Sequence, residues 1–149
     1  MANRVTDGVA YRRCGGLSSV WQLYGRGSVG SQSLTGIPGV DSLRNDSDLR
    51  DISQVGPFET GFLGRPGDGR RPYLLLVEIW PGIVESRARQ FHSSNPNLPR
   101  DAAQVMAMCE YAADRDADAK NQNWFGVPRG LDADAVRQAV DEEGWILGV

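Results

Sequence analysis

The sequence predicts an α/β fold, and three segments carry that prediction. Residues 73–81 form the most apolar run of the chain, interrupted only by Glu78 and bounded by prolines, as expected for an interior strand. Residues 101–118 repeat apolar side chains at helical spacing. Residues 131–143 predict a last helix, for which Asp132 is a suitable N-cap. Together they predict a sheet that helices cover on both faces.

The length and composition of the chain are those of one soluble domain spanning residues 1–149. Apolar residues make up 40% of the chain, and no window is apolar enough for a membrane span. The first residues lack the apolar core of a signal peptide, so we expect a cytoplasmic location. Two distant cysteines suggest neither a disulfide framework nor a metal knuckle, and a net charge of −3 gives no global basic field for nucleic acid.

Residues 20–24 alternate in character and predict a strand, followed by the pattern G-x-G-x-x-G from Gly25 to Gly30. Such a loop can hold a pyrophosphate at a helix N-terminus, or it can be a structural turn. The next segment, 31–44, predicts a helix broken at Pro38. A broken helix and the absence of an acid at the usual offset favour the structural turn.

Further along, residues 52–58 predict a short strand with Glu59 directly after it. The helix predicted at 101–118 should bury one stripe in the core. The residues of that stripe are Ala102, Val105, Met106, Cys109, Ala112 and Ala113.

Carboxylates are the chemistry that the residue types allow, since one histidine and no nucleophile elbow leave no triad. Glu59 and Glu78 each stand near a strand end, and Asp101 opens a helix. If the three converge, their oxygens suit Mg²⁺ or Mn²⁺. The alternative is that they are solvated or paired, with Arg70, Arg71 or Arg100 as partners; a charge at a helix N-terminus also explains Asp101 without any function.

Five stretches, in this order along nearly the whole chain, resemble an uncharacterised bacterial family. Its members are commonly labelled predicted nucleases of RNase H-like fold. The stretches are 21–32 (WQLYGRGSVGSQ), 56–61 (GPFETG), 77–81 (VEIWP), 101–105 (DAAQV) and 142–149 (EEGWILGV).

The resemblance implies an RNase H-like mixed sheet flanked by helices, and metal-dependent hydrolysis of a nucleic-acid phosphodiester. Glu78 and Asp101 would then hold Mg²⁺ or Mn²⁺, with Glu59 as a weaker third ligand. Family members look longer at the N-terminus and begin with a strand that carries an aspartate. Residues 1–19 contain no such strand, so we expect a domain that lacks its first strand, a truncation that can abolish activity.

Two other functions stay open. A sheet without its first strand exposes an edge, which favours a non-catalytic interaction domain or a homo-oligomer formed through that edge. The loop from Gly25 to Gly30 leaves nucleotide binding as the third hypothesis, which requires its backbone amides to point into an open cleft.

Overall fold

The computed structural model describes residues 3–25, 28–62, 74–117 and 124–149 of the chain. In these ranges the protein combines helices with a parallel sheet, so the α/β prediction is confirmed in this coarse form, and the RNase H-like arrangement stays a prediction. The elements are α1 (Val5–Cys14), α2 (Val29–Asn45), β1 (Ser53–Val55), β2 (Leu74–Leu76), α3 (Glu85–Ser94), α4 (Arg100–Ala117) and α5 (Ala133–Gln138). A 3-10 turn, Pro81–Val84, precedes α3, and a π-helical turn, Ala139–Glu143, follows α5.

The sheet is built from the two parallel strands β1 and β2, with Ser53 opposite Leu74 and Val55 opposite Leu76. Beyond β2, Glu78 forms a parallel bridge with Ile146, where the amide of Leu147 donates to the Glu78 carbonyl at 2.9 Å. The C-terminal segment therefore lies beside the end of β2. Its chain direction there is parallel to that of β2.

Two local predictions in the first half of the chain are wrong. Residues 20–24 form no strand, and Tyr24 is 95% exposed because no strand of the described ranges pairs with this segment. The helix predicted to break at Pro38 instead runs unbroken through α2. Proline removes one backbone donor, and on a helix as exposed as α2 water can satisfy the carbonyl that loses its partner.

Within the described residues, the core consists of two clusters. One joins α1 to the C-terminal segment through Ala10, Ala139 and Ile146, and the other lies between α3 and α4. The described residues between 18 and 61 belong to neither cluster. They nevertheless hold eight of the exposed large hydrophobic side chains, which are Trp21, Leu23, Tyr24, Leu34, Ile37, Val40, Leu43 and Phe58.

The predicted helix at 101–118 is confirmed as α4, but the predicted buried face is wrong. The side chains that α4 buries are Ala103, Ala107 and Met108. Val105, by contrast, is 61% exposed. Because α4 is apolar on two sides, periodicity finds the helix but cannot choose the side. The packing of α3 against α4 makes that choice.

The end of the chain follows the sequence prediction closely. Asp132 caps α5, its Oδ1 accepting a hydrogen bond from the Ala135 amide at 2.8 Å. Gly144 has a φ of 78°, a conformation that suits glycine, and Trp145 packs back into the core at 6% exposure. Within the described ranges, no helix has both the length and the apolar character that crossing a membrane requires.

Thr6 connects α1 to the C-terminal segment by a buried hydrogen bond, its Oγ1 accepting from the Ile146 amide at 2.9 Å. We expect Thr6→Val to lower the free energy of unfolding by about 1–3 kcal/mol, because the shape is kept while a buried N–H loses its partner. Urea unfolding followed by circular dichroism measures the loss. Thr35→Val, on the exposed face of α2, is the control and should change stability by less than about 0.5 kcal/mol. Equal losses in both variants would contradict the role of this bond.

Candidate functional site

Glu78, the first of the predicted metal ligands, lies just past the end of β2 and is held by an arginine. Arg4 Nη1 donates to Glu78 Oε2 and Arg4 Nη2 donates to Oε1, both at 2.8 Å. This is the two-bond geometry that a guanidinium and a carboxylate prefer. Of the three conditions under which a carboxylate is tolerated here, solvation, pairing or a bound cation, the structure shows pairing.

Arg4 also joins α1 to the C-terminal segment. Its guanidinium donates to Asp7 Oδ1 at 2.8 Å and to the Glu143 carbonyl at 3.2 Å. Burial by itself lowers the pKa of Arg4, but the hydrogen bonds and charges of Glu78 and Asp7 outweigh it, so that the pKa lies above its ordinary value. The group therefore stays a cation at every pH at which the protein folds.

Asp7 is a buried carboxylate beside the Glu78 site that sequence reasoning missed. Its immediate neighbours in sequence are Thr6 and Gly8, yet it is buried, with 3% of its surface exposed. The signal was present in the spacing, because Arg4 and Asp7 stand three residues apart at the start of α1, where such pairs meet on one helix face. Recognising it required assigning a helix to a segment that looked irregular.

Glu59, the third predicted ligand, is also held by an arginine. Arg44 donates to both of its carboxylate oxygens at 2.8 Å, and the Val55 amide donates to Oε2 at 2.6 Å. The Glu59 amide in turn donates to the Val55 carbonyl at 2.8 Å. Glu59 is therefore hydrogen-bonded to both the amide and the carbonyl of Val55. Ile52 and Gly56 bond toward β2, so the backbone groups of Val55 lie on the edge of β1 that faces away from β2.

Asp101, the second predicted ligand, is exposed in the first turn of α4. Its neighbours on that helix bind a different carboxylate. Arg100 Nη2 donates to Glu85 Oε1 at 3.0 Å, and Gln104 Nε2 donates to Glu85 Oε2 at 3.3 Å. Of the predicted arginine partners, Arg100 thus pairs with Glu85, while residues 70 and 71 lie outside the described residues.

This arrangement does not fit a divalent cation. The oxygens of Glu78 and Glu59 are hydrogen-bonded to guanidinium groups, and a cation at either would have to displace an arginine. Over the described ranges, no group of three or more histidine, cysteine, aspartate or glutamate residues is placed to hold a metal ion. The Mg²⁺ or Mn²⁺ site implied by the family resemblance therefore stays a prediction.

The loop from Gly25 to Gly30 is described at both ends but not at residues 26 and 27. The Ser28 amide donates to the Gly25 carbonyl at 3.2 Å, and the Gly30 amide donates to the Gln22 carbonyl at 3.1 Å. A Cβ on Gly30 would lie 2.2 Å from the Val20 carbonyl oxygen, so glycine is needed there for close packing. The amides of Ser28 and Gly30 are therefore bonded to nearby backbone carbonyls, as in a structural turn.

Comparison with known proteins assigns neither a family nor a function. No family model matches the chain, and no curated protein or solved structure is significantly similar to it. The function has to be inferred from the contacts and surfaces of the chain itself.

The surface that stands out is the exposed apolar side of α4, which we name the α4 seam. It consists of Ala102, Val105, Cys109 and Ala112. Val105 is 61% exposed, Cys109 is exposed, and the two alanines are half-buried. The spacing of three, four and three residues is that of the contact positions in paired helices. Met106, beside the seam, adds a further apolar side chain that is 44% exposed.

We expect Mg²⁺ and Mn²⁺ to show no saturable binding at Glu78, because Arg4 occupies both carboxylate oxygens. Isothermal titration calorimetry of the wild type, Glu78→Gln and Asp101→Asn measures this. Saturable binding in the wild type that is lost in Glu78→Gln would restore the metal site and the nuclease hypothesis with it.

The bond from Arg44 lowers the pKa of Glu59 from its ordinary 4.5, against an opposing effect of burial and with help from the Val55 amide. The unfolded chain therefore takes up this proton more readily. The stabilisation from Glu59 is complete above about pH 4.5 and is lost as pH falls through the lower folded pKa. We expect Glu59→Gln to lower stability at pH 7 and to lower it less at pH 3, as measured by urea unfolding. A difference that is the same at both pH values would attribute the effect to packing.

Proposed function

We propose that this chain is a non-catalytic interaction domain that pairs with a second copy of itself through the α4 seam. One observation carries the proposal: a stripe at the spacing of paired helices is exposed on a helix whose opposite face is already in the core. A helix that is apolar on two sides is normally covered on both. Here α3 covers one side, and the α4 seam on the opposite side is exposed.

The geometry of the seam specifies the kind of partner. From Ala102 to Ala112 the seam extends over about 15 Å of helix, roughly three turns. Apolar residues that alternate at spacings of three and four form one line along a helix. A second helix packs against such a line with knobs in holes. A strand would contact alternate residues instead, and α4 does not offer that spacing.

A second copy of α4 fits this seam well. Three of its four residues are alanine or cysteine, so two such ridges can approach to about 8 Å between helix axes, the short end of the usual range. Residues 102–109 contain no charged side chain, so pairing of two identical seams buries no like charges over that stretch. The same patch on both partners is what a twofold dimer requires.

The other exposed apolar helix, α2, is less suited to this role. Its apolar residues follow one another at steps of three, which turns them progressively around the helix. Ile37 and Val40 face a groove of about 620 Å³ that lies between α2 and the sheet residues Val55, Leu76 and Val77. The apolar side of α2 therefore faces its own domain across an open groove, and it offers no outward ridge.

Hydrolysis of a nucleic-acid phosphodiester remains a separate prediction, supported by the family resemblance. It would require Glu78 to exchange Arg4 for a metal ion. The interaction domain needs no such rearrangement, because the seam is already exposed.

We expect the wild type to sediment as a concentration-dependent monomer–dimer mixture and Val105→Glu to sediment as a monomer. A carboxylate at the centre of an apolar helix pair would be buried without a partner. Analytical ultracentrifugation over a range of protein concentrations measures this. The matched control is Ile37→Glu on α2, since Ile37 and Val105 are exposed to 62% and 61%. It should dimerise as the wild type does.

Cross-linking tests the position of the interface independently. Both cysteines are exposed, so Cys14→Ser leaves Cys109 as the single thiol. Two paired seams bring the two Cys109 side chains within reach of a short bismaleimide, and the dimer band should disappear with Val105→Glu. A monomeric wild type at all concentrations, or a dimer that Ile37→Glu disrupts and Val105→Glu leaves intact, would refute the α4 seam as the interface.

A further inference from the structure

Arginines divide into two groups in the part of the chain that the structure describes. Seven of them lie within 4 Å of a carboxylate oxygen, and these are Arg4, Arg44, Arg50, Arg87, Arg89, Arg100 and Arg137. Four make no ion pair with a described residue, and these are Arg12, Arg13, Arg115 and Arg129. All four of the second group line one and the same cavity.

The cavity, which we name the arginine pocket, measures about 600 Å³ and is formed by elements far apart in sequence. Arg12 and Arg13 come from the last turn of α1, Arg115 from the last turn of α4, and Arg129 from the loop before α5. Val9, Trp124 and Leu131 supply apolar parts of the wall. Its volume lies within the roughly 300–1,000 Å³ of pockets that bind small molecules.

Two of the four guanidinium groups are held in place without being neutralised. Arg115 donates to the Tyr111 hydroxyl from Nε at 3.1 Å and from Nη2 at 2.7 Å, and its guanidinium stands 5.0 Å over the Tyr111 ring. Arg13 Nη1 donates to the Gly148 carbonyl at 3.3 Å. Neutral partners fix the position of these cations while their charge remains available to a ligand.

Arginine near the C-terminal end of a helix has an ordinary explanation, because it interacts favourably with the helix dipole. That explains why Arg12, Arg13 and Arg115 occur at helix ends. It does not explain why two helix ends and a loop converge on one cavity without an aspartate or glutamate among the described lining residues. Like charges held together repel one another, and the repulsion is relieved when an anion binds between them.

We propose that the arginine pocket binds a small molecule through a diphosphate or triphosphate group. Guanidinium groups bind phosphate oxygens in pairs of hydrogen bonds, which makes arginine well suited to this anion. The four arginines bring a charge of +4 to the pocket. A diphosphate or triphosphate near neutral pH carries roughly three to four negative charges, since its last ionisation lies near pH 6.

This site is separate from the α4 seam and from the loop at residues 25–30. The dimer variant Val105→Glu is therefore expected to leave phosphate binding unchanged. Phosphate binding by the arginine pocket therefore does not depend on whether the chain self-associates.

The experiment is calorimetry of the full chain with tripolyphosphate, ATP and orthophosphate at about 150 mM salt, where diffuse charge effects are screened. We expect saturable one-to-one binding of tripolyphosphate, and binding of orthophosphate at least about tenfold weaker, because it contacts fewer arginines. Equal affinity for ATP and tripolyphosphate would mean that the phosphate chain alone is recognised. Tighter binding of ATP would mean that the ligand is a nucleotide. Both results support the proposal.

Arg129→Gln tests the site and Arg137→Gln controls for charge. Both are exposed arginines that follow residue 124 in the chain, and each substitution removes one positive charge. They differ in position, because Arg137 lies outside the pocket and pairs with Asp134. We expect Arg129→Gln to weaken tripolyphosphate binding by about tenfold or more, and Arg137→Gln by less than twofold. Arg12→Gln should act as Arg129→Gln does, and thermal unfolding of each variant shows that it is folded.

Three results would overturn the proposal. The first is the absence of saturable binding by tripolyphosphate and ATP. The second is an equal loss in Arg129→Gln and Arg137→Gln, which would show a response to net charge alone. The third is binding of a single-stranded 20-nucleotide RNA that depends on Arg129 while tripolyphosphate and ATP do not bind, which would assign the pocket to a polymer.

Discussion

One guanidinium group connects the parts of this fold that are furthest apart in sequence. Arg4 binds Asp7 within α1, Glu78 beyond β2 and the carbonyl of Glu143 before the C-terminal segment. The same junction is completed by the Val5 amide, which donates to Glu143 Oε2 at 2.7 Å. Because Asp7 is almost fully buried, removal of the Arg4 side chain would leave a buried carboxylate without an opposite charge, and such losses cost about 3–5 kcal/mol. The sheet end, α1 and the C-terminus are therefore positioned together.

The same interaction shows what sequence alone could and could not predict here. An ionisable group at the end of the apolar run 73–81 had to be solvated, paired or bound to a cation, and local reasoning could not choose among the three. The partner of Glu78 is 74 residues away in sequence. No local pattern connects Arg4 to Glu78. The choice between a metal and an arginine therefore depended on the tertiary structure.

Helix periodicity had a similar limit. It located α4 and α5 and placed the cap at Asp132, because helix formation and capping depend on neighbours within a few residues. It gave the wrong buried side for α4. Ala103 and Ala107 form one apolar face, and Val105 and Cys109 belong to another. Only the position of α3 decides between them. Where a helix has two apolar faces, the face that the domain leaves exposed is itself information about binding.

The charges at the end of α4 also bear on how two copies would pair. Arg115 lies in its last turn and belongs to the arginine pocket, whereas residues 102–109 are uncharged. A parallel pair would bring two arginine pockets, with eight guanidinium groups between them, to the same end of the helix pair. An antiparallel pair places them at opposite ends of a helix about 27 Å long, more than two Debye lengths apart at physiological salt. Electrostatic repulsion therefore favours antiparallel pairing, in which each copy keeps its own pocket open to solvent and binds its ligand independently.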